Sequence, residues 1–243
     1  MQLKVISSGS KGNAYLLENS EEILIIECGV NIKKIKEALN FDYSKVVGCI
    51  VSHEHGDHAK AINQLMSLGI NVFATEGTHA ALGSTMNNRA CVMQYEKVFE
   101  LGSFKIKPFD VMHDAAEPCG FLIHHLECGN VLFITDLIYC AYTFPNLNNI
   151  IIEANYDDAI AKQKLGDMEF LRNRIIKSHM SIDTCLKTLK ANDISQVNNI
   201  VLIHLSDGNS DAIAFKHRVE LATQKNVTIA DSGVVVPFNK TPF

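Results

Sequence analysis

Ser52-His53-Glu54-His55-Gly56-Asp57-His58 sets three imidazoles and a carboxylate within the six positions from His53 to His58, directly after the apolar run Val46–Val51. A continuous apolar run of this length suits a buried strand. At its extended end His53 and His55 stand two residues apart and point the same way, so both rings reach one ion. Asp57 and His58 follow where the chain turns into a helix, and they face a second ion nearby. Imidazole and carboxylate donors without a thiolate suit Zn²⁺, with Mn²⁺ close behind, because an N/O set does not separate the two. Solvated loop histidines are the bland alternative, which explains a lone His but not this density.

Three further donors stand where strands meet loops. His113 ends the alternating run Phe104–Met112, Asp136 follows Val131–Thr135, and His204 closes the apolar run Ile200–Ile203. The other histidines have no partner at ligand spacing. His124 and His125 are adjacent within a strand and face opposite sides, and His217 lies in an amphipathic helix. Together with His79 they read as structural or surface residues.

Working outward, the first half is rich in short strands: Lys4–Ile6, Ala14–Leu17 and Ile23–Glu27 are apolar or alternating and are separated by Gly, Ser and Asn. Asn31–Leu39 has helical spacing, His58–Leu68 reads as a helix closed by Gly69, and Val72–Ala74 is the next strand. Gly120–Leu126 and Val131–Thr135 flank Glu127-Cys128-Gly129-Asn130, a hairpin signal. Ile150–Glu153 is a buried strand, Asp157–Ser178 is helical and bears Arg172, Arg174 and Lys177, and Ser181 caps a helix over Ile182–Lys190. Val201–His204 and Val234–Val236 supply the last strands, around a helix near Asp211–Gln224. This order fits an α/β protein of four layers, an αβ/βα sandwich with two sheets inside and helices outside.

No linker, low-complexity tract or repeat marks a boundary, so residues 1–243 read as one domain. An apolar fraction of 47% with 20% charged residues is that of a packed globular protein. No apolar run reaches the roughly 20 residues a membrane span needs, and the start lacks a signal-peptide core, so a cytoplasmic protein without a membrane partner is expected. The seven cysteines (Cys28, Cys49, Cys91, Cys119, Cys128, Cys140, Cys185) are scattered and include no Cys-x-x-Cys pair, which suits reduced core residues. A formal net charge of -5 argues against a basic nucleic-acid coat but leaves a phosphodiester substrate open, since bound cations make a site locally positive.

The pattern H-x-H-x-D-H, with the later His113, Asp136 and His204, resembles the signature of the metallo-β-lactamase superfamily. The resemblance implies that His53, His55 and His113 hold one metal, that Asp57, His58 and His204 hold the other, and that Asp136 bridges them. An Asp at that bridging position lowers the odds of lactam cleavage and favours phosphodiester or thioester hydrolysis. Ser7-Ser8-Gly9-Ser10-Lys11-Gly12-Asn13, Ala74-Thr75-Glu76-Gly77-Thr78, His113 to Phe121 and His204-Leu205-Ser206 are similar to the YycJ (WalJ) family, which is related to tRNase Z and to PhnP-type phosphodiesterases. That likeness implies a metal-dependent nuclease attacking DNA from the 5′ end. Four departures stand out: Glu27 for a usual Asp, Gly56 for a usual Ser, Tyr156 for a usual His, and Ser178-His179-Met180-Ser181 for Gly-His-Leu-Ser.

The expected chemistry is hydrolysis by a water activated between two divalent cations, oriented by Asp57, with His179 protonating the leaving oxygen. The Gly- and Ser-rich turn offers Ser10, Lys11 and Asn13 as substrate contacts, although a plain tight turn explains the same residues. Hydrolysis of a small ester, thioester or cyclic phosphodiester uses the same ligands, and a metal-binding scaffold or sensor of low turnover is the rival from another class.

Overall fold

A computed structural model of the chain describes residues 1–165 and 176–241. Among the described residues, fourteen strands form two seven-stranded mixed sheets. The first contains β1 (Gln2–Ser7), β2 (Ala14–Glu18), β3 (Ile23–Ile26), β4 (Val46–Ile50), β5 (Val72–Ala74), β6 (Ala90–Val92) and β14 (Val235–Pro237), in the order β14-β1-β2-β3-β4-β5-β6. The second contains β7 (Phe99–Leu101), β8 (Phe104–Asp110), β9 (Cys119–His125), β10 (Gly129–Ile134), β11 (Leu147–Glu153), β12 (Asn199–Ile203) and β13 (Asn226–Ile229), in the order β13-β12-β11-β10-β9-β8-β7.

Period-two alternation explains why the sheets stack. In β2, Tyr15 and Leu17 enter the core shared by both sheets, while Ala14 and Leu16 face the outer side. In β10, Val131 and Phe133 enter the same shared core, and Leu132 and Ile134 face outward. Helices cover those outer faces, because strands apolar on both sides leave water on neither. On the first sheet these are α1 (Ile32–Ala38), α2 (Gly56–Ala59) and α3 (Ile62–Ser67), which bury Ile35, Ala59, Ile62 and Leu65. A fourth helix, α4 (Glu76–Ala81), follows β5. On the second sheet α6 (Ile182–Ala191) and α7 (Ala212–Thr223) bury Ile182, Leu189, Phe215 and Val219. The result is the four-layer αβ/βα sandwich that the element order implied.

Ser181 caps its helix as expected. Asn31, Ser181 and Asp211 each accept a backbone N–H of their own first turn. The expected helix over His58–Leu68 is instead two pieces, α2 and α3. Their junction is pulled out of helical pairing by the strand-end loop beneath it: Cys28 N–H donates to His58 O, and Ala61 N–H donates to Cys28 O. Of the expected helix Asp157–Ser178, the first part is α5 (Asp158–Leu165), and Arg172 and Arg174 lie outside the described residues. Among the described residues no helix is long and apolar enough to cross a membrane.

Candidate metal centre

The parallel strands β3, β4, β10, β11 and β12 end at one side of the sandwich, and the donors follow the C-terminal ends of β4, β8, β10 and β12. Among the donor groups formed there are His53, His55, His113 and Asp136, and then Asp57, His58, Asp136 and His204, with the donor atoms of each group within 4.8 Å of one another. Asp136 belongs to both. Its Oδ2 lies 3.7 Å from His53, 3.8 Å from His113 and 3.3 Å from His58, and its Oδ1 lies 3.6 Å from His204.

Contacts behind the rings select which nitrogen faces inward. His113 Nδ1 donates to Ser178 O at 3.0 Å, leaving Nε2 3.1 Å from His55 Nδ1. His53 Nδ1 pairs with Ser52 Oγ at 2.9 Å, and its Nε2 also lies 3.1 Å from His55 Nδ1. His58 turns Nδ1 toward Glu27 Oε2 at 3.4 Å, while its Nε2 faces Asp57 and Asp136. Carboxylate and carbonyl partners of this kind orient metal-binding imidazoles.

The electrostatics suit cations. Burial, reinforced by the neighbouring His58, holds His53 below the usual histidine range, and burial does the same to His113, so both rings are neutral donors. Burial would raise Asp136, but His204 and His58 outweigh it and hold the carboxyl well below its usual range. Asp57 behaves likewise through hydrogen bonds with His204 and His58. Burial opposes charge on His58, yet Asp136 and Glu27 push its pKa up. The buried carboxylates thus call for positive charge where a cation would sit, and the donor set fits divalent metal.

Backbone strain is also found at this place. Glu27, Asp136 and His204 all have positive φ (64°, 50° and 54°), at the ends of β3, β10 and β12. Residues held this way by their surroundings are common at functional sites. Gly29 is required by close approach: a Cβ there would lie 1.6 Å from Asp57 O.

The structure places all seven predicted metal donors in this cluster. His179 joins it from the second sheet's side, its ring stacked on His204 at 5.2 Å and its Nδ1 2.7 Å from Glu153 Oε1. Burial opposes its charge, but the Glu153 carboxylate wins and lifts its pKa to about 9. Ser10 and Lys11 are exposed, and Lys11 Nζ pairs with Asp207 Oδ2 at 2.7 Å, just beyond His204. Asn13, expected as a substrate contact, is turned inward. It is 1% exposed, accepts Gly9 N–H, and directs Nδ2 to Asp57 O and toward His58 Nε2, both at 3.2 Å. Its carboxamide is turned inward because the turn folds beneath the donor loop, so it braces the second donor group.

Glu153 escaped the sequence reading. Besides His179, it accepts N–H groups of Leu137 (3.2 Å) and Met180 (3.1 Å) through Oε2. The available signal was a carboxylate ending a fully buried strand, the same placement as the donors. Ser8 was also missed: its Oγ accepts the His204 N–H and lies 2.9 Å from the Tyr15 hydroxyl. The remaining histidines sit elsewhere, His79 against Ser84, His125 against Glu22, His124 against Asn130, and His217 exposed on α7.

The family described as the β-lactamase superfamily domain matches residues 24–205, which enclose all seven donors and leave the Ser8–Asn13 turn outside. The chain belongs to this superfamily. It carries the fold and a His/Asp cluster of a metal-dependent hydrolase. Exodeoxyribonuclease WalJ of Streptococcus pneumoniae is 27% identical, with 96% of this chain and 91% of that protein covered. Exodeoxyribonuclease YycJ of Bacillus anthracis is 26% identical over 81% of this chain and 89% of its own length. Among solved structures, the short form of human tRNase Z superposes with a TM-score of 0.66 at 17% identity, covering 98% of this chain and 99% of the other.

Proposed function

We propose that this β-lactamase-superfamily chain is a two-metal phosphodiesterase that degrades nucleic acid, DNA foremost, from the 5′ end. The observation that carries it is the shared position of Asp136 between two otherwise separate donor groups, which asks for two ions side by side rather than one. The likeness to two exodeoxyribonucleases over most of the chain supports the polymer. His53, His55 and His113 would hold one Zn²⁺ or Mn²⁺ ion, Asp57, His58 and His204 the other, and Asp136 both. Ions bound there supply Lewis-acid polarisation of the phosphoryl group and make water nucleophilic at neutral pH.

The chain's own residues do the rest. Asp57 is partly open to solvent, its side chain 27% exposed, and its carboxylate orients the attacking water and takes its proton. Glu153 holds His179 through Nδ1 and keeps it protonated, leaving Nε2 to give a proton to the departing sugar oxygen. A third donor grouping of Asp136, Glu153, His179 and His204 also exists, but both Glu153 oxygens are already engaged, which favours the proton-donor role over ligation. Ser10 and Lys11 meet the substrate phosphates at the rim, where Lys11 exchanges Asp207 for the anion.

The test is end-labelled single- and double-stranded DNA and RNA incubated with the Mn²⁺ and Zn²⁺ forms, beside a small thioester and an aryl ester. Metal-dependent release of nucleotides from one end of DNA is the expected result. Turnover of the small esters with every polymer left intact would overturn it.

A further inference from the structure

The loop that leaves Asp136 is aromatic out of proportion to the chain. Residues 137–146 contain Tyr139, Tyr142 and Phe144, whereas aromatics make up 7% of the whole sequence. Two of the three are built into the fold. The ring of Phe144 lies 4.8 Å from that of Phe109, and Tyr142 lies 5.7 Å from Phe109 with its hydroxyl donated to Asp110. Tyr139 is different: it follows Asp136 by three residues and is 48% exposed.

The loop is held beside the centre and does not trail away from it. Ile138 N–H donates to Met112 O at 3.4 Å, which ties the residue before Tyr139 to the residue before His113. Met112 is itself 55% exposed. A large ring and a thioether, both left largely in water, therefore stand within three residues along the chain of two donors of the same metal group, Asp136 and His113, on segments that a backbone hydrogen bond ties together. Apolar side chains left in water at the edge of a polar site mark a place for a flat apolar group of the ligand.

Resting on the nucleic-acid reading above, we propose that Tyr139 is a substrate-binding residue that stacks on the nucleobase next to the scissile phosphate, with Met112 at its flank. A phosphodiester held at the metal donors carries its bases to either side, and the aromatic lip is where one of them arrives. Every base has a π-face, so stacking fixes the nucleotide without reading its identity. Bases in a duplex are already stacked and paired, so the lip adds affinity only for an unpaired end. The preferred substrate is therefore a single-stranded end of any sequence.

Steady-state cleavage of a single-stranded oligonucleotide by the metal-loaded full chain tests this. Tyr139→Ala is expected to raise KM roughly 10-fold with kcat near the parent's, in line with the loss of one base stack. Tyr139→Phe and Tyr139→Trp keep parental KM, while Tyr139→Leu behaves like Tyr139→Ala. An oligonucleotide abasic at its two terminal positions raises KM for the parent by a similar factor and has no further effect on Tyr139→Ala. Equal KM for parent and Tyr139→Ala, or Tyr139→Leu as good as Tyr139→Phe, overturns the stacking role while leaving the nuclease reading intact. A parent that cleaves no oligonucleotide overturns both. Unchanged circular dichroism and metal content in the variants separate these outcomes from misfolding.

Discussion

Glu153 and His179 form a buried carboxylate–imidazole pair whose two members come from the end of β11 and the entry to α6. Because Glu153 raises the His179 pKa to about 9, the acid form is present below that value and is lost as pH rises through it. The alkaline limb of kcat/KM for the phosphodiester reaction therefore reports His179 if it is the proton donor. Glu153→Gln keeps the shape and an acceptor for Leu137 N–H and Met180 N–H but removes the charge. The alkaline limb is expected to move down by roughly 1–2 units, toward the ordinary histidine value. A limb that stays in place in the variant rules His179 out as the acid.

At the scale of elements, the donor loop between β4 and α2 lies against the loop after β3 with no space for a side chain. Gly29 is the contact point, and a Cβ there would meet Asp57 O at 1.6 Å and Asp57 C at 2.0 Å. Both obstacles are backbone, so no rotamer change relieves them. Gly29→Ala is expected to destabilise the fold by about 3 kcal/mol or more, the upper range for overpacking, and to lower metal affinity by displacing Asp57. Gly56 opens α2 with nothing within 4 Å of a Cβ. Gly56→Ala is thus expected to leave stability unchanged or gain about 0.5–1 kcal/mol. Urea denaturation of the two variants, read as shifts in midpoint at constant m, checks the contrast.

For the whole molecule, metal binding and folding are linked because the donors come from both sheets: His53 to His58 follow β4, and Asp136 and His204 follow β10 and β12. Ions that bind only the assembled site stabilise it by about 2.7 kcal/mol per site at 100 times the dissociation constant. In a chain of 243 residues that corresponds to roughly 5–10 °C in Tm for each site. Stripping with a chelator is expected to lower Tm by that order, and reconstitution to restore it with close to two ions per chain by elemental analysis. One ion per chain at saturation would remove Asp136 from its bridging role.

Much of this protein is legible in the one-dimensional string because its determinants are local. Apolar runs mark β2, β10 and β12, Ser181 announces its helix, and the density of His53, His55, Asp57 and His58 announces a metal loop. Short elements with weak pattern, α4, β6, β7 and β13, were not legible, because pairing with neighbouring strands and packing hold them more than their own residues do. The break between α2 and α3 was hidden for a similar reason: it is made by Cys28, 30 residues before His58 in the chain yet hydrogen-bonded to it. Glu153, Ser8 and the inward turn of Asn13 also belong to tertiary structure alone. Each acts through a partner far away in sequence: Glu153 on His179, Ser8 on His204 and Asn13 on His58. Residue type and spacing determine which atoms are able to bind a metal. Only the stacking of two sheets decides which nitrogen faces inward and which carboxylate stands behind it.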